Sequence, residues 1–294
     1  MENKKILVTG ANGYIGSHVV KTLLDLGCDV VATDINDNNI DERATIIKSN
    51  IFNVSPDEDL FKKYGEPDVC LHMAWIDGFV HNSDNHLLYL SSHYNFLNNL
   101  ISHGLKQVAV MGTMHEIGFY EGMVDENTPT NPLSMYGISK NALRKAIELK
   151  CKEKEVIYQW LRCFYITGDD LKANSIFGKI LKADKEGKEL FPFTSGQNMY
   201  DFIDINELSE QLSKAVMQSE VSGIINCCTG EPRTLADRVE QYIVDNGLNI
   251  KLEYGAYPDR PYDSRIIYGD ATKINNIKKK YEEESVKKRI RRIQ

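Results

Sequence analysis

No apolar run in the chain approaches the roughly 20 residues that a membrane span requires. There is also no CxxC pair, and no Cys/His grouping at metal-ligand spacing, so neither a membrane helix nor a bound metal is expected. Positive charge is short, with 35 Lys and Arg against 42 Asp and Glu for a net −7. A mildly acidic chain is a poor general binder of nucleic acid or of anionic membrane. Internal repeats and low-complexity linkers are missing as well, which excludes solenoids and long tethers. The first residues, MENKKILVTG, pass from charge to a β-like run within five positions and leave no room for a signal peptide. A cytoplasmic globular protein is the expectation. In that setting Cys28, Cys70, Cys151, Cys163, Cys227 and Cys228 are expected as reduced, buried thiols.

At 294 residues, 42% apolar and 26% charged, the chain can bury a large core without staples. Strand-like runs (KKILVT, CDVVATD, TIIKSN, PDVCLHMA, KQVAVMG) alternate with helical or loop segments up to Gly168. Helices are expected at 86–103, with Leu87, Leu90, Tyr94, Leu97 and Ile101 on one stripe, and at 134–154. Strands alternating with helices predict a parallel sheet covered on both faces. VIYQWLRCFYITG reads as one further strand. Beyond it the rhythm loosens, with helices at 173–187, 206–219 and 234–246 and strands near 189–193, 200–205 and 223–227. The expected architecture is therefore α/β. Residues 1–168 form a Rossmann doubly wound parallel sheet, and residues 169–294 a smaller α/β lobe intertwined with it. The segment 278–292 carries eight Lys or Arg against three Glu, which reads as a solvated helix face or as a grip for an anionic partner.

TGANGYIGSHVV places Gly10, Gly13 and Gly16 between a strand and a helix. Gly10 permits a tight turn, Gly13 lets backbone approach a pyrophosphate, and Gly16 lets helix and strand pack closely. The free amides at the helix start then receive phosphate. Asp34 ends the second strand, where a dinucleotide site puts a carboxylate on the adenosine ribose. That carboxylate favours NAD over NADP, with Arg43 the one nearby candidate for an extra phosphate.

YGISK puts Tyr136 and Lys140 four residues apart at a helix start, on one face. A free tyrosine has a pKa of about 10, and a nearby ammonium favours its phenolate. The hydroxyl partner is expected at the end of the preceding strand, where VAVMGTMHEIG offers Thr113. His115 and Glu116 are either substrate contacts or bystanders.

With these motifs the chain resembles the extended short-chain dehydrogenase/reductase family, which includes nucleotide-sugar epimerases, dehydratases and ketoreductases. HMAW, GTMHEIG, LRCFYITG, YDFIDINEL, GIINCCTGEPRTL and DRPYDSR resemble further family segments, so the likeness covers nearly the whole chain. It implies an NAD(P)-dependent reaction at a sugar carbon, usually C4, with Thr113, Tyr136 and Lys140 catalytic. It places the cofactor against Gly10, Asn12, Gly13, Tyr14, Ile15, Gly16, Asp34, Asn50, Ile51, Met73, Ala74, Tyr136 and Lys140. It places a nucleotide-diphosphate sugar against Trp75, Thr113, His115, Glu116, Tyr165 and Arg260. The family's frequent Arg before DF is Tyr200 here, and its frequent strand Asn is Tyr165. Arg260 is left as the main candidate for the diphosphate.

The triad serves both a reductase and an epimerase. GTMHEIG resembles the G[ST]xxEYG segment common in reductases of 4-keto-6-deoxy nucleotide sugars, and that reaction is the leading expectation. A nucleotide-sugar 4-epimerase is the alternative. A dehydratase lacks its usual Asp-Glu pair, because Met114 and His115 stand there. A non-catalytic cofactor-bound sensor has the intact triad against it. The resemblance also implies a homodimer through the helices near 86–103 and 134–154.

Overall fold

In the computed structural model, which describes residues 4–55, 57–168, 175–259 and 263–293, the N-terminal β-like run becomes β1 (Lys5–Thr9). The chain continues through α1 (Tyr14–Asp25), β2 (Asp29–Asp34), β3 (Thr45–Lys48), α2 (Leu60–Lys63) and β4 (Val69–His72). Then come α3 (Asn85–Leu88), α4 (Leu90–His103), β5 (Gln107–Thr113), β6 (Gly122–Val124), α5 (Met135–Glu153), β7 (Ile157–Cys163) and β8 (Tyr165–Thr167). The remainder comprises α6 (Ile176–Lys185), β9 (Leu190–Pro192), β10 (Met199–Asp204), α7 (Ile205–Met217), β11 (Gly223–Cys227) and β12 (Pro232–Thr234). It ends with α8 (Leu235–Asp245), β13 (Lys251–Glu253), β14 (Ile266–Gly269) and α9 (Thr272–Ile293).

A seven-stranded sheet runs in the order β11-β7-β5-β4-β1-β2-β3, with every pairing parallel. A sheet buried on both faces needs apolar residues on both, and β1 shows it. Ile6 and Val8 enter one core with Val19, Val20 and Leu23 of α1 and Leu208 and Leu212 of α7. Leu7 enters the other with Phe96, Leu97 and Leu100 of α4 and Leu143 and Ile147 of α5. This is the Rossmann arrangement expected. Strand order reverses between β1 and β4, which opens a crevice beyond their carboxyl ends. All six cysteines are buried and free.

The smaller sheet has the order β12-β10-β14-β6, with β8 also paired to β10. The two sheets do not divide at residue 168. β11 returns to the large sheet, where Ile225 pairs with Leu161, and β6 leaves the first half to pair with β14. The apolar GIINC run of β11 is buried from Ile225 onward, as the flank of a parallel sheet requires. The expected single strand through 156–168 also splits. β7 stays in the large sheet and β8 crosses to β10.

The expected helix at 86–103 breaks at Tyr89, and the α4 side chains that face the core are His93, Phe96, Leu97, Leu100 and Ile101. Leu87 of the expected stripe is exposed. The expected start of the next-lobe helix at 173 lies outside the described residues, and α6 begins at Ile176.

Candidate active site

The crevice holds a cavity of about 810 Å³, and the turn after β1 forms one end of it. Gly10 has φ +70°, and a Cβ there would come within 2.6 Å of the Ala74 nitrogen across the strand switch. A Cβ on Gly16 would meet the Gly10 carbonyl oxygen at 2.0 Å. Both positions therefore need glycine. Gly13 starts α1 without a side-chain cap, so no N-cap side chain competes with an outside acceptor at the first turn. Gly13, Tyr14, Ile15, Gly16 and Met73 all line the cavity. A cradle that a Cβ would fill, floored by uncapped amides, fits the pyrophosphate of a dinucleotide.

The adenosine side is built differently from its expectation in part. Asp34 accepts from the Asn12 amide through Oδ2 at 3.1 Å, and Asn12 Oδ1 accepts from the Asn39 amide at 2.8 Å. Asn12 thus ties the turn to the loop after β2 and does not line the cavity. Arg43 has its guanidinium between Asp25 and Asp41, at 2.8 and 2.7 Å, so it is engaged elsewhere. Asn50 is exposed and accepts from the Phe52 amide at 3.0 Å. Ile51 is core, and Ala74 donates its amide to Thr9 Oγ1 at 3.2 Å.

The opposite wall carries the groups expected to react. Ser134 caps α5 by accepting from the Gly137 amide, which fixes Tyr136 in the first turn, and the Tyr136 amide donates to the His81 carbonyl at 2.9 Å. Burial pushes the phenol pKa up, and a hydrogen bond with Thr113 opposes this. Lys140, 2% exposed, donates from Nζ to the Met111 carbonyl at 2.8 Å. Its ammonium lies 3.9 Å from the centre of the Trp75 ring and 5.9 Å from that of Tyr136. Burial pulls its pKa down to about 8, with Glu116 opposing.

Trp75 is held as a plate. His93 stacks on it at 4.3 Å and 11°, and its Nε1 donates to His86 Nδ1 at 3.0 Å. His93 is itself bonded to His72 at 2.9 Å, and His72 to Thr9 at 2.9 Å. Trp75, expected to touch substrate, lines the cavity and also carries the lysine.

Glu116 requires a correction. It is 0% exposed and does not line the cavity. Its Oε1 accepts from the Thr113 amide at 2.8 Å and from Trp160 Nε1 at 2.8 Å. Arg144 and Arg162, both buried, stand 3.7 Å away. Burial raises the Glu116 pKa, with Arg162 the strongest opposing influence. A carboxylate so enclosed cannot reach a sugar. It holds the backbone on which Thr113 stands.

Thr113, His115, Tyr136, Lys140 and Tyr165 all line the cavity. Arg260 lies outside the described residues. Residues that the sequence did not single out for the site also line the cavity: Phe79, His81, Phe119, Leu133, Phe177 and Phe202, together with Tyr200. Tyr200 and Tyr165, the two departures from the family pattern, pack together at 4.5 Å. That double departure was the one sequence signal for an aromatic wall there.

The chain is 43% identical over 270 residues, 90% of its length and 98% of the relative's, to dTDP-6-deoxy-L-talose 4-dehydrogenase (NAD(+)) of Aggregatibacter actinomycetemcomitans. It superposes with a TM-score of 0.81 on UDP-N-acetylglucosamine 4-epimerase from Methanobrevibacter ruminantium, at 22% identity and covering 94% of this chain and 92% of that one. It superposes at 0.77 on the UDP-glucose 4-epimerase of Thermus thermophilus complexed with NAD, at 20% identity and 92% of each chain. Residues 6–228 match the NAD dependent epimerase/dehydratase family profile, and the chain belongs to that family.

Proposed function

We propose that this enzyme moves hydride between NAD and C4 of a 6-deoxyhexose carried on a nucleoside diphosphate, reducing the 4-ketone or oxidising the 4-alcohol. The observation that carries the proposal is the cluster of Thr113, Tyr136 and Lys140 on one cavity wall, in a chain 43% identical to a 4-dehydrogenase of a dTDP-6-deoxy sugar. NAD, when bound, supplies the hydride acceptor or donor. The Thr113 hydroxyl hydrogen-bonds the sugar oxygen, and the Tyr136 phenol transfers its proton. The buried Lys140 ammonium favours the phenolate.

The cavity lining includes the apolar side chains of Trp75, Phe79, Phe119 and Leu133. Among the described lining residues Lys140 is the one Lys or Arg. A neutral deoxy sugar suits this wall better than a uronic acid, whose carboxylate needs a partner.

The test is turnover of dTDP- and GDP-linked 4-keto-6-deoxy sugars with NADH and with NADPH, alongside UDP-hexoses without reductant. Stoichiometric NADH consumption is expected. Interconversion of C4 epimers without net change in the cofactor would instead establish an epimerase.

Asp34 sets the coenzyme preference in this reading. Its carboxylate repels a 2′-phosphate, and Arg43 is occupied by two aspartates. Asp34→Asn is expected to lower the NADH to NADPH ratio of kcat/KM by about tenfold, the equivalent of about 1.4 kcal/mol. An unchanged ratio removes Asp34 from the ribose site.

A further inference from the structure

Each turnover moves a proton as well as a hydride, because alcohol plus NAD⁺ becomes ketone plus NADH plus H⁺. In the oxidation the C4 hydroxyl gives its proton to the Tyr136 phenolate, and the phenol must release it before the next cycle. Reduction runs the same path backwards. The nearby groups differ in their freedom to take that proton. The Lys140 ammonium is directed to the Met111 carbonyl and lies over Trp75. His86 stands 5.3 Å from the Tyr136 ring, but its Nδ1 accepts from Trp75 and its Nε2 donates to the Val80 carbonyl at 2.9 Å. His72 and His93 are bonded to each other.

His81 and His115 are placed otherwise. The His81 ring lies nearly parallel to that of Tyr136, at 5.6 Å and 12°. His115 packs edge-on to Tyr136 at 6.0 Å and lies 4.4 Å from His81. Both line the cavity, with His115 half-buried and His81 exposed at its mouth. Neither ring nitrogen pair is bonded to another described residue. We propose that His115 and His81 pass the proton between the Tyr136 phenol and solvent, a role that rests on Tyr136 being the proton-transfer group.

A neutral imidazole carries one N–H and one bare nitrogen, so it can accept at one nitrogen as it gives from the other. Both rings rest neutral near pH 7. Burial lowers the His115 pKa to about 4, with His81 adding to the effect. Burial and then His86 lower that of His81. The titratable groups facing the pair are Tyr136 from α5 and His86 from α3.

The test compares His81→Phe, which keeps a flat ring against Tyr136, and His115→Gln, which keeps a hydrogen-bonding side chain. Each is measured with whichever sugar nucleotide the wild-type enzyme turns over. Expected is a fall in kcat of about tenfold, less than the 10²–10⁴-fold of a direct acid or base because the carriers act through Tyr136. KM and NADH binding measured by fluorescence are expected near wild type, and added imidazole is expected to restore most of kcat. A wild-type kcat in both variants overturns the relay. So does a loss confined to KM, or one that imidazole does not relieve, because the rings are then only pocket wall. Tyr136→Phe separates the two levels: if it keeps wild-type kcat, the reading of Tyr136 itself falls.

Discussion

Tyr136→Phe is expected to lower kcat by about 10²–10⁴-fold, the range for loss of a positioned acid or base. The change removes one oxygen. The ring contacts to Trp75, His81, His86 and His115 remain, so folding and cofactor binding should stay near wild type. Steady-state kinetics and NADH fluorescence together check this. Comparable kcat in the variant would show that the proton reaches the sugar oxygen from another group.

The pH dependence follows from the same environment. Burial raises the phenol pKa, so Tyr136 is protonated at neutral pH, the form that donates to a ketone oxygen. In the proposed reaction, oxidation of the alcohol needs the phenolate. Its kcat/KM is therefore expected to rise with pH over the range in which the reduction holds steady.

The second large effect is on stability. Glu116→Gln is expected to cost about 3–5 kcal/mol, because it leaves the buried Arg162 without its counter-charge and Arg144 with only the exposed Glu148, 3.8 Å away. That corresponds to a fall of on the order of 10 °C in the melting midpoint. Glutamine can still accept from the Thr113 amide and Trp160, so the loss isolates the charge from the hydrogen bonds. Arg162 is 0% exposed, and its Nε and Nη2 make no hydrogen bond among the described residues, which leaves it dependent on the carboxylate. Replacing Glu116, Arg144 and Arg162 together by Leu, Met and Met is expected to cost less than Glu116→Gln alone, since no unpaired charge is then buried. Thermal unfolding of the two variants decides. Equal or reversed losses would mean that the three charges do not act as a unit.

The parts legible in the sequence are those whose chemistry is written in contiguous residues. The turn at Gly10, Gly13 and Gly16 uses backbone amides from one strand–helix junction. Tyr136 and Lys140 are brought together by helical spacing alone. The parts that were not legible depend on what tertiary packing places against them. His81 sits in a loop with no periodicity, and its stack on Tyr136 exists only because that loop folds back over the start of α5. Glu116 stands in the sequence as either a substrate contact or a bystander. Nothing local announces that Trp160 and two arginines close over it. The split at Phe164 and the return of β11 were hidden for the same reason, since an apolar run does not say which sheet it joins.

That return of β11 bears on how the enzyme can move. The chain passes between the two sheets from β5 to β6, β6 to β7, β7 to β8, β10 to β11 and β11 to β12. Hinged closure requires bodies joined through a few residues that absorb the rotation. Here any swing would have to shear α7 off α1 or draw β11 away from β7, breaking a strand pairing to gain a degree of freedom. A swing of one sheet against the other is therefore opposed by pairings that the same chain makes in both.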